Sequence, residues 1–200
     1  MSRILDRIKT VLEAESAAIA AVRPTPDFEK AVHILNECRG KVVATGIGKA
    51  GIIAHKFAAT LTPTATPAVF VHPADNAHGD LGIVSKGDVI VGCSTSGKSA
   101  EVLEMITLAT HHLGLASVIG ITSHVDSPLR DLSNVVVDMG EVKEPCPLGM
   151  TPSASIAVML AVSDALALAL LELKGITRDD YGIRHHGGYL GRVARTDNLP

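Results

Sequence analysis

The sequence predicts an α/β chain with a parallel sheet of about five strands, and three observations carry that expectation. Short runs rich in β-branched residues alternate with stretches of helical periodicity. The hydrophobic content is 46% but only 2% of residues are aromatic, so the core is built from Ala, Val, Ile and Leu, a composition that suits buried parallel strands covered by helices. Polar, glycine-containing turns follow the first and third apolar runs, where such a sheet exposes its loops.

Ile4, Leu5, Ile8, Val11, Leu12, Ala18, Ile19 and Val22 recur at helical spacing with Glu15 as the one polar interruption, and the pattern stops before Pro24 and Pro26. A second helix is expected over 27–38, with Gly40 just past its end. Strands are then expected at 41–45, 68–71, 89–93, 117–122 and 135–137. Helices over 50–61 and 99–113 are long enough for βαβ crossovers, and a shorter one is expected at 127–132. Two hundred residues with no internal repeat and no Pro/Gly/Ser-rich linker fit a single domain: N-terminal helices (2–39), an αβα core (41–174) and a polar, Gly-rich C-terminal tail (175–200).

With 18 basic and 21 acidic residues the formal charge is -3, which provides no footprint for nucleic acid or an anionic membrane. Cys38, Cys93 and Cys146 are odd in number and widely spaced, fitting neither a disulfide framework nor a CxxC metal site and implying a reducing, cytoplasmic setting. Charges from Arg3 to Glu15 interrupt the N-terminal segment, unlike a secretory signal. Residues 154–171 are apolar enough to raise the question of a membrane span, but Asp164 at their centre would cost at least roughly 2.5 kcal/mol in lipid. A helix buried in the protein or between subunits is the better reading.

Three loops carry candidate chemistry. Gly46-Ile47-Gly48-Lys49-Ala50-Gly51 follows the first strand and opens a helix, where Gly48 lets the backbone approach an anion at the helix N-terminus. A dinucleotide site would place a carboxylate at the end of the second strand. That strand ends in Val71-His72-Pro73 with none before Asp75, which argues against NAD. A steric strand-to-helix turn also fits the glycines but leaves Lys49 unexplained. Ser94-Thr95-Ser96-Gly97-Lys98-Ser99 gathers hydroxyls, a glycine and amide donors before a helix, as a monophosphate requires; an ordinary cap accounts for only one or two of those hydroxyls. No Walker A spacing points to a nucleoside triphosphate. His78 lies in the third loop, His72 to Asp80, and no HxH or HExxH arrangement makes its histidines a metal site.

Two carboxylates join these loops: Glu101, in the first turn of the helix after the hydroxyl-rich loop, and Glu144, in Lys143-Glu144-Pro145-Cys146-Pro147 beyond the last strand. Glu101 also fits a surface residue that complements the helix dipole, and Glu144 also fits an ordinary loop residue. Arg184-His185-His186-Gly187-Gly188 lies in the tail, where a core role for either histidine is improbable. A tail folded over a neighbouring subunit would bring a catalytic imidazole.

Together GIGKAG, FVHPADNAHGDLG, STSGKSAEV, KEPCPLGMTPS and HHGGYLGR resemble the sugar isomerase (SIS) domain family, and within it the D-arabinose-5-phosphate isomerases, from about Lys41 to Arg192. The resemblance implies a Rossmann-like three-layer αβα sandwich, a homotetramer with sites shared between subunits, and a phosphorylated sugar as substrate. It implies interconversion of D-ribulose 5-phosphate and D-arabinose 5-phosphate, which feeds lipopolysaccharide or capsule synthesis, with no cofactor. Carried over by motif, the catalytic set is Lys49, His78, Glu101, Glu144 and His185, and the phosphate loop is Ser94, Thr95, Ser96 and Ser99.

Departures from the family pattern surround this set. The family loop generally reads SNSGES, whereas here Thr95 stands for Asn and Lys98 for Glu; Ala50 alters GKSG, and His186 replaces the Pro of SHPGG. They leave the acids and bases intact and the preferred sugar open. Many members carry a C-terminal pair of CBS domains; this chain stops soon after Arg192, so that module is not expected.

An aldose–ketose isomerisation needs ring opening, removal of a proton beside a carbonyl, a stabilised enediolate and return of the proton to the neighbouring carbon. Glu144 is expected to shuttle the proton if partial burial raises its pKa toward neutrality, His185 to assist ring opening, and Lys49 to stabilise the enediolate oxygen. Glu101 and His78 would orient hydroxyls or relay protons. The alternatives are a non-catalytic sugar-phosphate sensor, against which no helix-turn-helix segment precedes the sheet, and an isomerase of a hexulose or heptose phosphate.

Overall fold

The computed structural model describes residues 2–114 and 116–194. Helices α1 (Arg3–Ala21) and α2 (Pro26–Asn36) precede a sheet of β1 (Val42–Gly46), β2 (Ala68–Phe70), β3 (Asp88–Cys93), β4 (Ala116–Thr122) and β5 (Val135–Asp138). Between the strands run α3 (Gly48–Leu61), α4 (Ala100–Thr107) and α5 (Pro128–Asp131), and α6 (Ala154–Leu173), α7 (Arg178–Arg184) and α8 (Gly188–Ala194) follow. The sheet has five strands, all parallel, as the sequence predicts, and their order is β2-β1-β3-β4-β5.

The period of two along each strand sorts side chains into two cores. Val42, Ala44, Val89, Val91, Ile119 and Ile121 face α2, α3 and α6, where Leu35, Phe57 and Met159 are fully buried. Val43, Ile90 and Val118 point the other way, against Val102, Met105 and Ile106 of α4 and Leu129 of α5. The helices take opposite faces because the chain steps from β1 outward to β2 and then reverses to β3 and β4, so right-handed crossovers put α3 and α4 on opposite sides. Each large aliphatic so buried contributes about 1.5–3 kcal/mol.

A buried ion pair braces the strands' N-terminal edge. Asp88 accepts from the Lys41 amide (2.9 Å), the Lys41 ammonium (2.7 Å) and the Ser85 amide (2.7 Å), with only 1% of its side chain exposed. Burial pushes its pKa up, but these donors outweigh that and hold it below the ordinary value.

Three segments differ from the sequence expectation. The helix expected over 99–113 keeps α geometry only to Thr107 and widens into a π-helical turn, Leu108–His112, where Thr110 Oγ1 donates back to the Ile106 carbonyl (2.7 Å). The tail forms two helices where a polar segment is expected. α7 starts with a reciprocal cap, the Thr177 hydroxyl accepting from the Asp180 amide (3.1 Å) and the Asp180 carboxylate from the Thr177 amide (3.0 Å). Residues 195–200 of the expected tail lie outside the described residues. Finally, α1 is amphipathic as expected but contributes no buried residue: Ile4, Leu5, Ile8 and Leu12 are all more than half exposed.

α6 is long and apolar enough to cross a membrane, with a mean hydropathy of 2.2. It packs on α1, α2 and α3, and Asp164 at its centre pairs with Lys56 of α3. Leu168 and Leu173 remain about half exposed on its outer side.

Candidate active site

The strand order reverses between β1 and β3, and the loops leaving their C-terminal ends lie side by side. Gly46 is in register with Cys93, so Lys49 and the segment starting at Ser94 leave the sheet from neighbouring strands roughly 4.8 Å apart. Such a switch point is where open α/β sheets bind ligands. Gly48, at φ +59°, makes the turn into α3, and a Cβ on Gly51 would sit 2.5 Å from the Gly46 carbonyl oxygen, so strand and helix meet more closely than any side chain permits. Lys49 is exposed at the second position of α3, and its ammonium makes no hydrogen bond or ion pair among the described residues.

The hydroxyl-rich loop is held rigidly. Ser94 Oγ lies 3.0 Å from Ser99 Oγ and accepts from the Gly97 amide (3.0 Å), while Ser96 Oγ accepts from the Lys98 amide (3.2 Å). From β4, Thr122 Oγ1 (3.2 Å) and the Ser123 amide (3.1 Å) both donate to the Thr95 carbonyl. Gly97, at φ +64°, sits on Ser127, whose Oγ would be 2.3 Å from a Cβ placed there. Because Ser99 is committed to Ser94, its side chain does not cap α4, and the helix's first-turn amides face the loop without a hydroxyl acceptor from their own N-cap. The bracing by Thr122 and Ser127 is not visible in the sequence, since it joins the loop to residues about 30 positions away; Ser127 before Pro128 reads there only as a helix cap.

His78 closes a 3-10 turn, Asp75–His78, after β2, and Glu101 lies in the first turn of α4; both are exposed. Glu144 comes after β5. Each of the three thus lies in a segment that follows the C-terminal end of a strand, as Lys49 and Ser94 do and as the sequence predicts. Among the described residues no group of three or more His, Cys, Asp or Glu side chains converges to hold a metal ion.

Glu144 departs from expectation in its electrostatics. Its carboxylate accepts from the amides of Ser153 (2.8 Å), Ala154 (2.9 Å) and Ser155 (3.1 Å), so it caps the N-terminus of α6. Burial raises its pKa, as anticipated, but hydrogen bonds from Ser155, Ser153 and Ala154 outweigh burial and leave it below the ordinary carboxylate value. The expectation of a pKa raised toward neutrality is overturned for the chain in this conformation. Two residues on, Cys146 is drawn down to about 6, chiefly by hydrogen bonding from the Thr151 side chain and then the amides around it.

His185 is the one member of the set that the chain does not bring to this edge. It lines a cleft of about 720 Å³ with Ala59, Thr62, Pro63, Ala65, Pro67 and Arg184, at the far end of α3 and beside the start of β2. Its Nδ1 is buried with no partner among the described residues, and its ring stacks on Tyr181.

Comparison with known proteins agrees with this architecture. Over 197 residues the chain is 41% identical to the arabinose 5-phosphate isomerase KdsD of Pseudomonas aeruginosa, covering 96% of this chain and 60% of that protein. It is likewise 41% identical over 187 residues to KdsD of Escherichia coli K12, covering 92% and 56%. The chain thus spans a little over half the length of these relatives. Among solved structures it is similar to the Escherichia coli CFT073 protein c3406 in complex with arabinose 5-phosphate, at a TM-score of 0.87 and 40% identity, covering 92% of this chain and all of that one. Residues 34–169, which hold the β1/β3 switch point, the lysine turn and the serine-rich loop, match the SIS domain, and the chain belongs to the SIS domain family.

Proposed function

We propose that the chain is an aldose–ketose isomerase of phosphorylated sugars, interconverting D-arabinose 5-phosphate and D-ribulose 5-phosphate through an enediolate. One observation carries this reading: a loop of hydroxyls and helix amides lies one strand away from a lysine, unpaired among the described residues, at the sheet's switch point. The loop of Ser94, Thr95, Ser96 and Ser99 holds the phosphate, with Gly48 giving the backbone close approach. Lys49 faces the developing enediolate oxygen, where a fixed positive charge stabilises the transition state more than the ground state. A carboxylate takes the proton from the carbon beside the carbonyl and returns it to the former carbonyl carbon, while the hydroxyl proton of the first carbon passes to the former carbonyl oxygen, so no net redox change occurs and no cofactor takes part.

Glu144 performs that transfer in this reading, which requires the loop before α6 to release it from the three amides that hold it charged. Glu101 and His78 orient hydroxyls, and His185 assists ring opening from a neighbouring subunit. A homotetramer supplies the assembly. Its support is the apolar stripe of α1 and the outer side of α6, both exposed in the single chain. The chain works as one SIS unit of N-terminal helices (2–39), core (41–174) and tail (175–200), in the cytoplasm, with its product entering lipopolysaccharide synthesis.

The second reading is a sugar-phosphate-binding regulator without turnover, and the engagement of Glu144 by α6 favours it. Purified protein incubated with ribulose 5-phosphate and followed by NMR separates the two. Appearance of the aldose supports the isomerase. Saturable binding with no conversion supports the regulator, and absence of both removes the pentose-phosphate reading and leaves a hexulose or heptose phosphate as the substrate class.

A further inference from the structure

The tail carries two tyrosines that the isomerase reading leaves without a role, and one of them, Tyr181, stacks on His185. Tyr181 lies one helical turn before His185, and the His185 amide donates to the Tyr181 carbonyl at 2.8 Å. The two rings lie at 5.4 Å between centroids and 10° between planes, an offset parallel stack. Three further features fix the arrangement. The Thr177–Asp180 cap anchors the start of α7. His185 then leaves helical geometry (φ -117°, ψ 60°), so its side chain turns out of the helix direction. Behind it α8 packs so closely that a Cβ on Gly191 would lie 2.2 Å from the His185 carbonyl oxygen. The peptide is thus clamped, and the imidazole's remaining freedom is rotation about its own side-chain bonds, which a flat ring on one face restricts.

We infer that Tyr181 is a positioning residue for the tail imidazole: by stacking on one face of His185, whose Nδ1 is buried, it holds the ring so that Nε2 is the nitrogen that meets the substrate. The inference rests on the reading of His185 as a participant in ring opening. A base or acid that must approach one sugar oxygen gains from a preset ring, since misdirection by about 1 Å is enough to cost a large factor in rate. The flat ring matters here, not the phenolic hydroxyl.

The test compares Tyr181→Phe, Tyr181→Leu and His185→Ala in the full chain, with ribulose 5-phosphate as substrate. Tyr181→Phe should retain wild-type kcat, whereas Tyr181→Leu should lower kcat about 3- to 10-fold with KM unchanged. Equal kcat in all three Tyr181 forms, alongside an inactive His185→Ala, overturns the inference and leaves the isomerase reading standing. A fully active His185→Ala overturns the underlying role of His185 instead. Should Tyr181→Leu fail to fold, the wild-type protein still decides: stacking requires ring-current displacement of the His185 imidazole proton resonances, abolished in Tyr181→Ala and retained in Tyr181→Phe. Unshifted imidazole resonances in the wild type overturn the inference.

Discussion

Lys49 occupies the second position of α3, while His185 packs beside Ala59 and Thr62 at the other end of that helix. At 1.5 Å of rise per residue this separates them by about 15–20 Å, several times the length of a pentose carbon chain. A reaction that uses both residues must draw them from different copies of the chain. In an isologous pair, each copy gives its C-terminal edge to one site and its tail to the other, so the pair holds two composite sites.

That arithmetic gives a complementation test. Lys49→Ala and His185→Ala should each be inactive alone. When the two are unfolded together and reassembled, a mixed pair holds one site with both defects and one with neither. Half of randomly formed pairs are mixed, so about one quarter of wild-type activity should return. A mixture as inactive as its parents would mean that the two residues do not serve a common site across subunits.

Glu144 gives the second prediction, because its two roles separate by measurement. As a cap it meets three amides at the positive end of α6, and Glu144→Gln keeps an accepting oxygen but loses the charge, costing about 1 kcal/mol of stability. As the proton carrier its loss should abolish turnover while binding of ribulose 5-phosphate, followed calorimetrically, persists. Stability lowered with turnover unchanged would leave Glu144 as a cap only and shift the base to Glu101.

The five parallel strands and the positions of Lys49, Ser94, Glu101 and Glu144 beyond strand ends were legible in the sequence because each follows from local periodicity, whereas the strand order depends on the pairing of distant segments. Val42, Val43 and Ala44 alternate faces whatever lies around them. The electrostatic state of Glu144 was not legible, since it depends on where residues 153–155 return in space. Tyr181 illustrates an intermediate case: the T-x-x-D cap at Thr177 and the i, i+4 spacing of Tyr181 and His185 were in the sequence, but a polar, Gly-rich composition concealed them. The π-helical turn after Thr107 was not legible, because no proline or glycine interrupts residues 108–113.

Asp88 predicts how stability responds to acid. Its native pKa is lowered, so the unfolded chain binds its proton first as pH falls. The stabilisation is complete above the unfolded value near about 4 and is lost as pH falls through the lower native value. Asp88→Asn should cost about 1–3 kcal/mol at neutral pH, because it leaves the Lys41 ammonium against an uncharged partner, and should flatten the pH dependence of unfolding below about pH 4. Urea melts of both proteins at pH 7 and pH 3 measure this; parallel losses of stability between those values would exclude Asp88 as a source of acid lability.

Gly97 tests whether the hydroxyl loop is the phosphate site through its backbone rather than its side chains. Gly97→Ala meets two obstacles: φ +64° costs about 1 kcal/mol for any residue with a Cβ, and that atom would sit 2.3 Å from Ser127 Oγ. The loop must move, carrying the Lys98 amide and the start of α4 with it, so inorganic phosphate and ribulose 5-phosphate should both bind at least about 10-fold more weakly. Adding Ser127→Gly removes the collision but not the backbone penalty, so the double variant should regain part of the affinity, and the non-additivity measures the contact. Full affinity in Gly97→Ala alone would place the phosphate elsewhere on the edge, and no recovery in the double variant would make the backbone conformation, not the Ser127 contact, the feature that holds the loop.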